Sequence, residues 1–437
     1  MSVSAPADVP VDSPDDADPR PPLIRDRSYW GFLVTQFLGA FNDNFYKQFV
    51  LLMCLDYKLA HNLEDDPYQS TAGVVFALPF ILFSLYTGAV ADRYSKRSIV
   101  VLCKVGEIAV MAAALAVFLA FDLGSQGLLV ASIVVIGLMS LQSTLFSPAK
   151  YGILPDLFRE SDLPRANGGV QMSTFLAIVL GMALAGIVKQ QAGDRLWVAG
   201  AVAIAIAAMG TATSLLIRRT PVALPGEPFR LASFIGDPAV WRSTFTRPEL
   251  RRAVLTYVLF WLAGSAALPA VNALGREQLA RGDIATSMLA MMLSLGMGIG
   301  CFVAGYLGRD RNRPDLIVKG SLGLPVAGLL VGAAALVGGQ AGYVGCLLGI
   351  AAFGALAGLT AVPLLVVVQS APKPEERGRT LGVNNFCTWM GVLIGQVVYY
   401  VLSKVCVDAA GDSLIGWGFA AIGAIMLPAV VAYRDKR

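Results

Sequence analysis

Charge is scarce in this chain. Of its 437 residues, 15% are Asp, Glu, Lys or Arg, against roughly 25% in ordinary soluble domains. Hydrophobic residues make up 56%, and mean hydropathy is +0.64. A water-facing surface cannot be assembled from that composition, whereas a lipid-facing one can stay apolar, so a soluble globular domain is excluded. Histidine is represented by His61 alone, which argues against a metal centre or a histidine relay. The cysteines Cys54, Cys103, Cys301, Cys346, Cys387 and Cys406 include no C-x-x-C pair and lie mostly in apolar stretches. That excludes a zinc ribbon and a disulfide framework. A net charge of +4 gives no reason to expect nucleic acid as a partner, and neither a cofactor nor a metal is expected.

What the chain does have is long apolar runs. Segments of about 20 residues, enough to cross a hydrocarbon core, fall at 29–55, 70–91, 98–121, 127–148, 167–189 and 196–217. A polar stretch at 218–251 follows, and then six more at 252–275, 287–308, 316–338, 343–370, 380–403 and 414–433. The expected fold is therefore an all-α membrane protein of twelve transmembrane helices in two six-helix halves, 28–217 and 252–437, joined by a connector at 218–251. Residues 1–27 are Pro-rich and acidic (Asp12, Asp15, Asp16, Asp18). They read as a disordered tail without the basic start of a signal peptide, which leaves the first span to act as an uncleaved signal.

Basic residues set the expected orientation. With the N-terminus in the cytoplasm, the inner loops collect groups such as Arg93, Lys96, Arg97, Lys150, Arg159, Arg218, Arg219, Arg377 and Arg379, and the outer loops hold few. An imbalance of roughly four to one places both termini inside. The halves also repeat. Residues 154–181 slide onto 368–395 at a constant shift, matching Arg165 with Arg379, Gly168 with Gly382, Thr174 with Thr388 and Gly181 with Gly395. Gly88 to Arg93 similarly matches Gly305 to Asp310. A repeat near half the chain length is what tandem bundles produce.

The loop after the second span, Gly88-Ala-Val-Ala-Asp92-Arg93-Tyr-Ser95-Lys96-Arg97, resembles the G-x-x-x-D-R-x-G-R-R signature of the major facilitator superfamily, with Ser95 in place of the second glycine. Glycine allows close helix approach, and a carboxylate at a helix end can take charge-assisted bonds from a neighbouring helix. The resemblance implies alternating access gated here, so Gly88, Asp92, Arg93, Arg97 and Lys150 are the candidate gating residues.

Polar groups inside spans are costly and tend to face the bundle interior. The first span carries Asn42, Asp43, Asn44 and Lys47. Four-residue spacing puts Asp43 and Lys47 on one face, where they can pair, either as a substrate or ion site or as interhelical glue. Lys104 and Glu107 share a face in the third span, although Lys104 is close enough to the surface to snorkel. Gln142, Asn272, Asn384 and Asn385 are uncharged candidates. His61 and Asp66 fit an H-x-x-x-x-D acyltransferase pattern, but in a short loop with no enzyme domain around it, and no catalysis is expected there.

Two further phrases narrow the resemblance. Ala40-Phe-Asn-Asp43-Asn44 is similar to the A-F-[GN]-D-N of bacterial lysophospholipid transporters, and Ser147-Pro-Ala-Lys150-Tyr-Gly-Ile-Leu154 matches their S-P-A-K-Y-G-I-L. The resemblance implies an inner-membrane carrier that returns lysophospholipids for re-acylation, with a separate acyltransferase as a possible partner because the chain ends at Arg437. Lys47 or Lys104 would meet the phosphate. Certain family members carry a basic residue in the seventh span, whereas 261–274 here holds no charge. The alternative is a carrier of another small amphipathic metabolite or drug, proton-coupled through Asp43.

Overall fold

The computed structural model describes residues 19–63, 67–226, 234–309, 313–409 and 411–434. The acidic positions Asp12 to Asp18, together with Asp66 and Asp310, lie outside these. Twelve long helices run across the molecule. They are α1 (Arg27–Ala60), α2 (Pro67–Arg93), α3 (Lys96–Ala120), α4 (Gln126–Gly152), α5 (Leu163–Ala192) and α6 (Trp197–Ser214). Then come α7 (Pro248–Ala273), α8 (Asp283–Leu307), α9 (Asp315–Val337), α10 (Gly339–Ser370), α11 (Arg377–Val405) and α12 (Ile415–Arg434). Helices are the natural form for such segments, because every backbone group must find its partner within the span.

Eleven of these helices are long and apolar enough to cross a membrane; α1 is not among them. Gln36, Asn42, Asp43, Asn44, Lys47 and Gln48 dilute its apolar run. It nevertheless has 34 residues, about 51 Å at 1.5 Å per residue, and packs against α5 and α6 as a bundle member. Even span number brings both ends to one face, here called proximal; the opposite face is distal.

The packing obeys the repeat. In the first half α1 packs on α5, α2 on α4, and α3 on both α4 and α6. In the second, α7 packs on α11, α8 on α10, and α9 on both α10 and α12. The halves meet through two further symmetric pairs, α5 with α8 and α2 with α11. The repeat-matched glycines sit at those crossings. A Cβ on Gly88 would come 3.0 Å from the Gly382 Cα, and one on Gly168 would come 2.9 Å from the Gly305 Cα. Only glycine permits backbones this close.

Two boundaries differ from expectation. The tail does not extend to residue 27: residues 19–26 dock on the proximal face, with Leu23 buried. Asp26 caps α1 through the Ser28 amide at 2.8 Å and pairs with Arg218 at 2.7 Å. The Arg159 Nε donates to the Arg20 carbonyl at 2.7 Å. One leucine and two charged anchors are enough to order a short polar segment against a preformed surface. Helix α4 also continues past residue 148 to Gly152, which alters where Lys150 points. Within the connector, a short helix (Pro238–Thr246) starts at Asp237, whose side chain caps the Ala239 amide at 2.9 Å.

Candidate functional site

A cavity of about 670 Å³ lies between the halves. Lys47, Phe80, Ser147 and Tyr151 line it from the first half, and Trp261, Ser265, Asn272, Asn384, Asn385, Thr388 and Gln396 from the second. A smaller recess of about 160 Å³ opens beside it inside the first half, lined by Gln36, Asp43, Lys104, Glu107, Gln142, Ser143 and Lys150. The two spaces share Phe80, Ser147 and Tyr151 and so adjoin each other. The larger space is mostly apolar-walled, and the smaller holds most of the charge.

The first-span residues disperse rather than cluster. Asp43 accepts a hydrogen bond from the Ser143 hydroxyl of α4 at 2.7 Å. Lys47 places its Nζ over the Phe76 ring of α2, 4.6 Å from the centroid. No ion pair joins Asp43 to Lys47 among the described residues, contrary to their expected pairing. An i,i+4 pair contributes only a few tenths of a kcal/mol, less than a charge-assisted bond or a desolvated cation–π contact. Asn42 points away from the cavity: its Nδ2 donates to Glu107 at 2.8 Å and to the Ala203 carbonyl at 3.2 Å. Asn44 donates back to the Ala40 carbonyl at 2.7 Å and lines neither space.

Lys104 does not snorkel. It is 1% exposed and ion-paired with Glu107. Gly39 of α1 and Gly210 of α6 make room for its amine; a Cβ at either would come 2.8 Å from the lysine side chain. Gln142 donates to the Cys103 carbonyl at 3.1 Å, leaving its Oε1 buried without a partner. Asn385 donates to the Ser84 hydroxyl at 2.6 Å across the two halves. Asn272 is exposed on the cavity wall at the distal end of α7. His61 stacks on Tyr57 with 3.9 Å between centroids.

The proximal end of the cavity is closed. Asp92, fully buried, accepts from the Gly378 amide at 2.5 Å, the Arg379 amide at 3.0 Å and the Arg379 Nε at 3.2 Å. Arg379 also reaches Asp237 at 2.8 Å, tying the connector to the same junction. Of the other gating candidates, Arg93 donates to the Ala89 carbonyl of its own helix at 3.2 Å. Arg97 bonds Thr220 and Ile217 at the start of the connector, not the second half. Lys150 is not at this junction: the longer α4 carries it into the recess, with its Nζ 4.9 Å from the Tyr151 centroid.

Besides Arg379, four contributors carry no motif in the sequence. Asp156, in a one-turn helix after α4, pairs with Lys96 at 2.8 Å and with Arg377 of the second half at 2.9 Å. Asn167 and Gln369 exchange two hydrogen bonds, 2.7 and 2.9 Å, between α5 and α10. Ser143 holds Asp43. Asp156 lies beside the recognisable Ser147–Leu154 phrase, so its neighbourhood was visible; the serine and the two amides carry no signal apart from their position in a span.

Two pseudo-repeated six-helix bundles around a central cavity, closed at one end by contacts between symmetry-related helices, define a membrane transporter of the two-bundle class. The chain belongs to the Major Facilitator Superfamily, whose family profile matches residues 32–396. Two solved structures share the fold. The human organic anion transporter MFSD10 is 16% identical with a TM-score of 0.74, covering 95% of this chain and 100% of that one. A bacterial homologue of the iron transporter ferroportin, outward-facing, is 15% identical with a TM-score of 0.69, covering 93% and 98%. Among curated relatives, the lysophospholipid transporter LplT of Salmonella paratyphi B is 30% identical over 240 residues, 53% of each chain, and that of Salmonella typhi matches equally. The chain spans about half the length of the curated relatives it matches.

Proposed function

We propose that this protein is an alternating-access carrier of lysophospholipids in a bacterial inner membrane. The observation that carries the reading is the two-part cavity: a largely apolar chamber between the halves, adjoining a charged recess in the first half. A single-chain lipid has the same division, and an ion is placed at such depth only where something repays its desolvation. In this reading Asp43, Lys150 and Lys47 receive the headgroup. The lysines offer charge-assisted bonds to phosphate, and Asp43, oriented by Ser143, offers its carboxylate to an ammonium. Lys104 and Glu107, paired with each other, and Gln142 border the recess, and Asn42 holds Glu107 from behind. Asn272, Asn384 and Asn385 belong to the chamber wall. The names of the relatives at 30% identity support the substrate class.

Gly88 and Asp92 form the gate, with Arg379 and Asp156 as its unforeseen members; Arg93 and Arg97 hold the loop in place. Basic asymmetry puts both termini in the cytoplasm, so the described state is closed inward and opens outward. An acyltransferase would consume the delivered lysolipid.

The test is transport of defined lysolipids into reconstituted vesicles. The wild-type protein should move them, and Lys150→Met with Asp43→Asn should fold yet move them poorly. Folded wild-type protein that moves no lysolipid would defeat the assignment.

A further inference from the structure

The second half of the cavity wall carries two buried polar side chains that the protein itself leaves without partners. Asn384 is 5% and Thr388 7% exposed, and both line the chamber. Neither the Asn384 Oδ1 nor the Thr388 Oγ1 has a hydrogen-bond partner among the described residues. Most of their polar neighbours on the same wall are satisfied: Asn385 bonds Ser84, the Ser265 hydroxyl bonds two carbonyls, and Gln396 bonds the Ser265 carbonyl, while the Trp261 Nε1 also lacks a partner among the described residues.

The internal repeat shows why this pair stands out. Thr388 of α11 corresponds to Thr174 of α5. In the first half, Gln36 of α1 donates to Thr174 at 2.7 Å, and the Thr174 hydroxyl bonds the Val170 carbonyl at 2.8 Å. In the second half α7 takes the place of α1 and provides no such partner, and Thr388 makes no bond to its own helix either. Buried polar atoms are normally paired, and each exception needs an explanation. A ligand supplies one here.

Asn384 and Thr388 are four residues apart, one turn along one face of α11. Both are neutral, so they suit a hydroxyl and a carbonyl rather than a phosphate or an ammonium. The charged groups lining the two spaces, Lys47, Asp43, Lys104, Glu107 and Lys150, all come from the first half. We propose that Asn384 and Thr388 form a subsite for a glycerol backbone carrying a free hydroxyl beside an ester carbonyl, and that this subsite distinguishes single-chain from two-chain lipids. The proposal rests on the lysophospholipid reading and deepens it. Asn384 Oδ1 needs a donor; the free hydroxyl of a lysolipid provides one, and the second ester of a diacyl lipid does not. The order along the lipid also fits, with charged headgroup, neutral backbone and apolar chain meeting recess, subsite and chamber in turn.

The experiment compares a 1-acyl lysophospholipid with its 2-deoxy analogue, identical in headgroup and chain, in vesicles containing the purified protein. Wild-type protein should move the hydroxyl-bearing lipid about tenfold faster, the effect of one hydrogen bond of ordinary strength. In Thr388→Val or Asn384→Leu that ratio should fall toward one, and Thr388→Ser should restore it. Equal rates for the two lipids in wild-type protein would overturn the subsite while leaving the carrier reading in place. So would a tenfold ratio that persists in both variants. Failure of folded wild-type protein to move either lipid would overturn both. Because the wild-type comparison needs no substitution, the outcome does not depend on whether a variant folds.

Discussion

Replacing Asp92 by Asn should open the proximal end of the molecule. The buried carboxylate accepts three hydrogen bonds from the start of α11: two backbone amides, at 2.5 and 3.0 Å, and the Arg379 Nε, at 3.2 Å. Both Arg379 bonds fall on one carboxylate oxygen and the Gly378 bond on the other, so an asparagine that places its oxygen toward Arg379 loses the Gly378 bond and turns its NH2 against that amide. One bond to a charged group contributes about 1.5–3 kcal/mol, so the closed state loses about that much. At 1.4 kcal/mol per decade that is a shift of roughly one to two powers of ten between closed and open populations. Asp156→Asn gives the internal comparison. Of its two ion pairs only the one to Arg377 crosses the halves, while Lys96 lies in the same half. Its effect should be no larger, because an asparagine there can keep its oxygen on Arg377. The assay is accessibility of single cysteines placed on each face, or spin-label distances across each end. Unchanged proximal accessibility in Asp92→Asn, or a larger effect from Asp156→Asn, would refute this account of the gate.

Gly88→Ala should hinder proximal closure, because its Cβ would press on the Gly382 Cα at 3.0 Å, whereas Gly73→Ala, with nothing within 4 Å, should be neutral in the same accessibility assay. Asn167→Leu alone should cost about 1–3 kcal/mol by orphaning the Gln369 amide, and Asn167→Leu with Gln369→Leu should recover much of it in thermal unfolding. Glu107→Gln should lower thermal stability by about 3–5 kcal/mol, since it strands the buried Lys104 ammonium; an undisturbed melting curve would contradict that. Cysteines introduced at Gly226 and Gly411 should label from opposite sides of the membrane, and same-sided labelling would overturn the proposed orientation.

Composition and period by themselves determined the class of fold. Scarce charge leaves lipid as the only fitting solvent, and runs of about 20 apolar residues leave helices as the only fitting element. The internal repeat was equally legible, since glycines at symmetric crossings leave a regular trace: Gly88, Gly168, Gly305 and Gly382 were matched as letters before they met as backbones. The first-span residues show where such reading stops. Asp43 and Lys47 lie one turn apart and suggest a pair, yet Ser143 and Phe76 reach them from other helices and divide them. Lys104 looked near enough to water to escape, but the space left by Gly39 and Gly210 keeps its amine on Glu107. Lys150 entered the recess because α4 runs one turn further than its apolar run. Spacing along a helix records only which side chains share a face. Which partner each one takes depends on groups from other helices, such as Ser143, 100 residues along the chain from Asp43, and only tertiary packing brings them within the 3 Å over which a hydrogen bond acts.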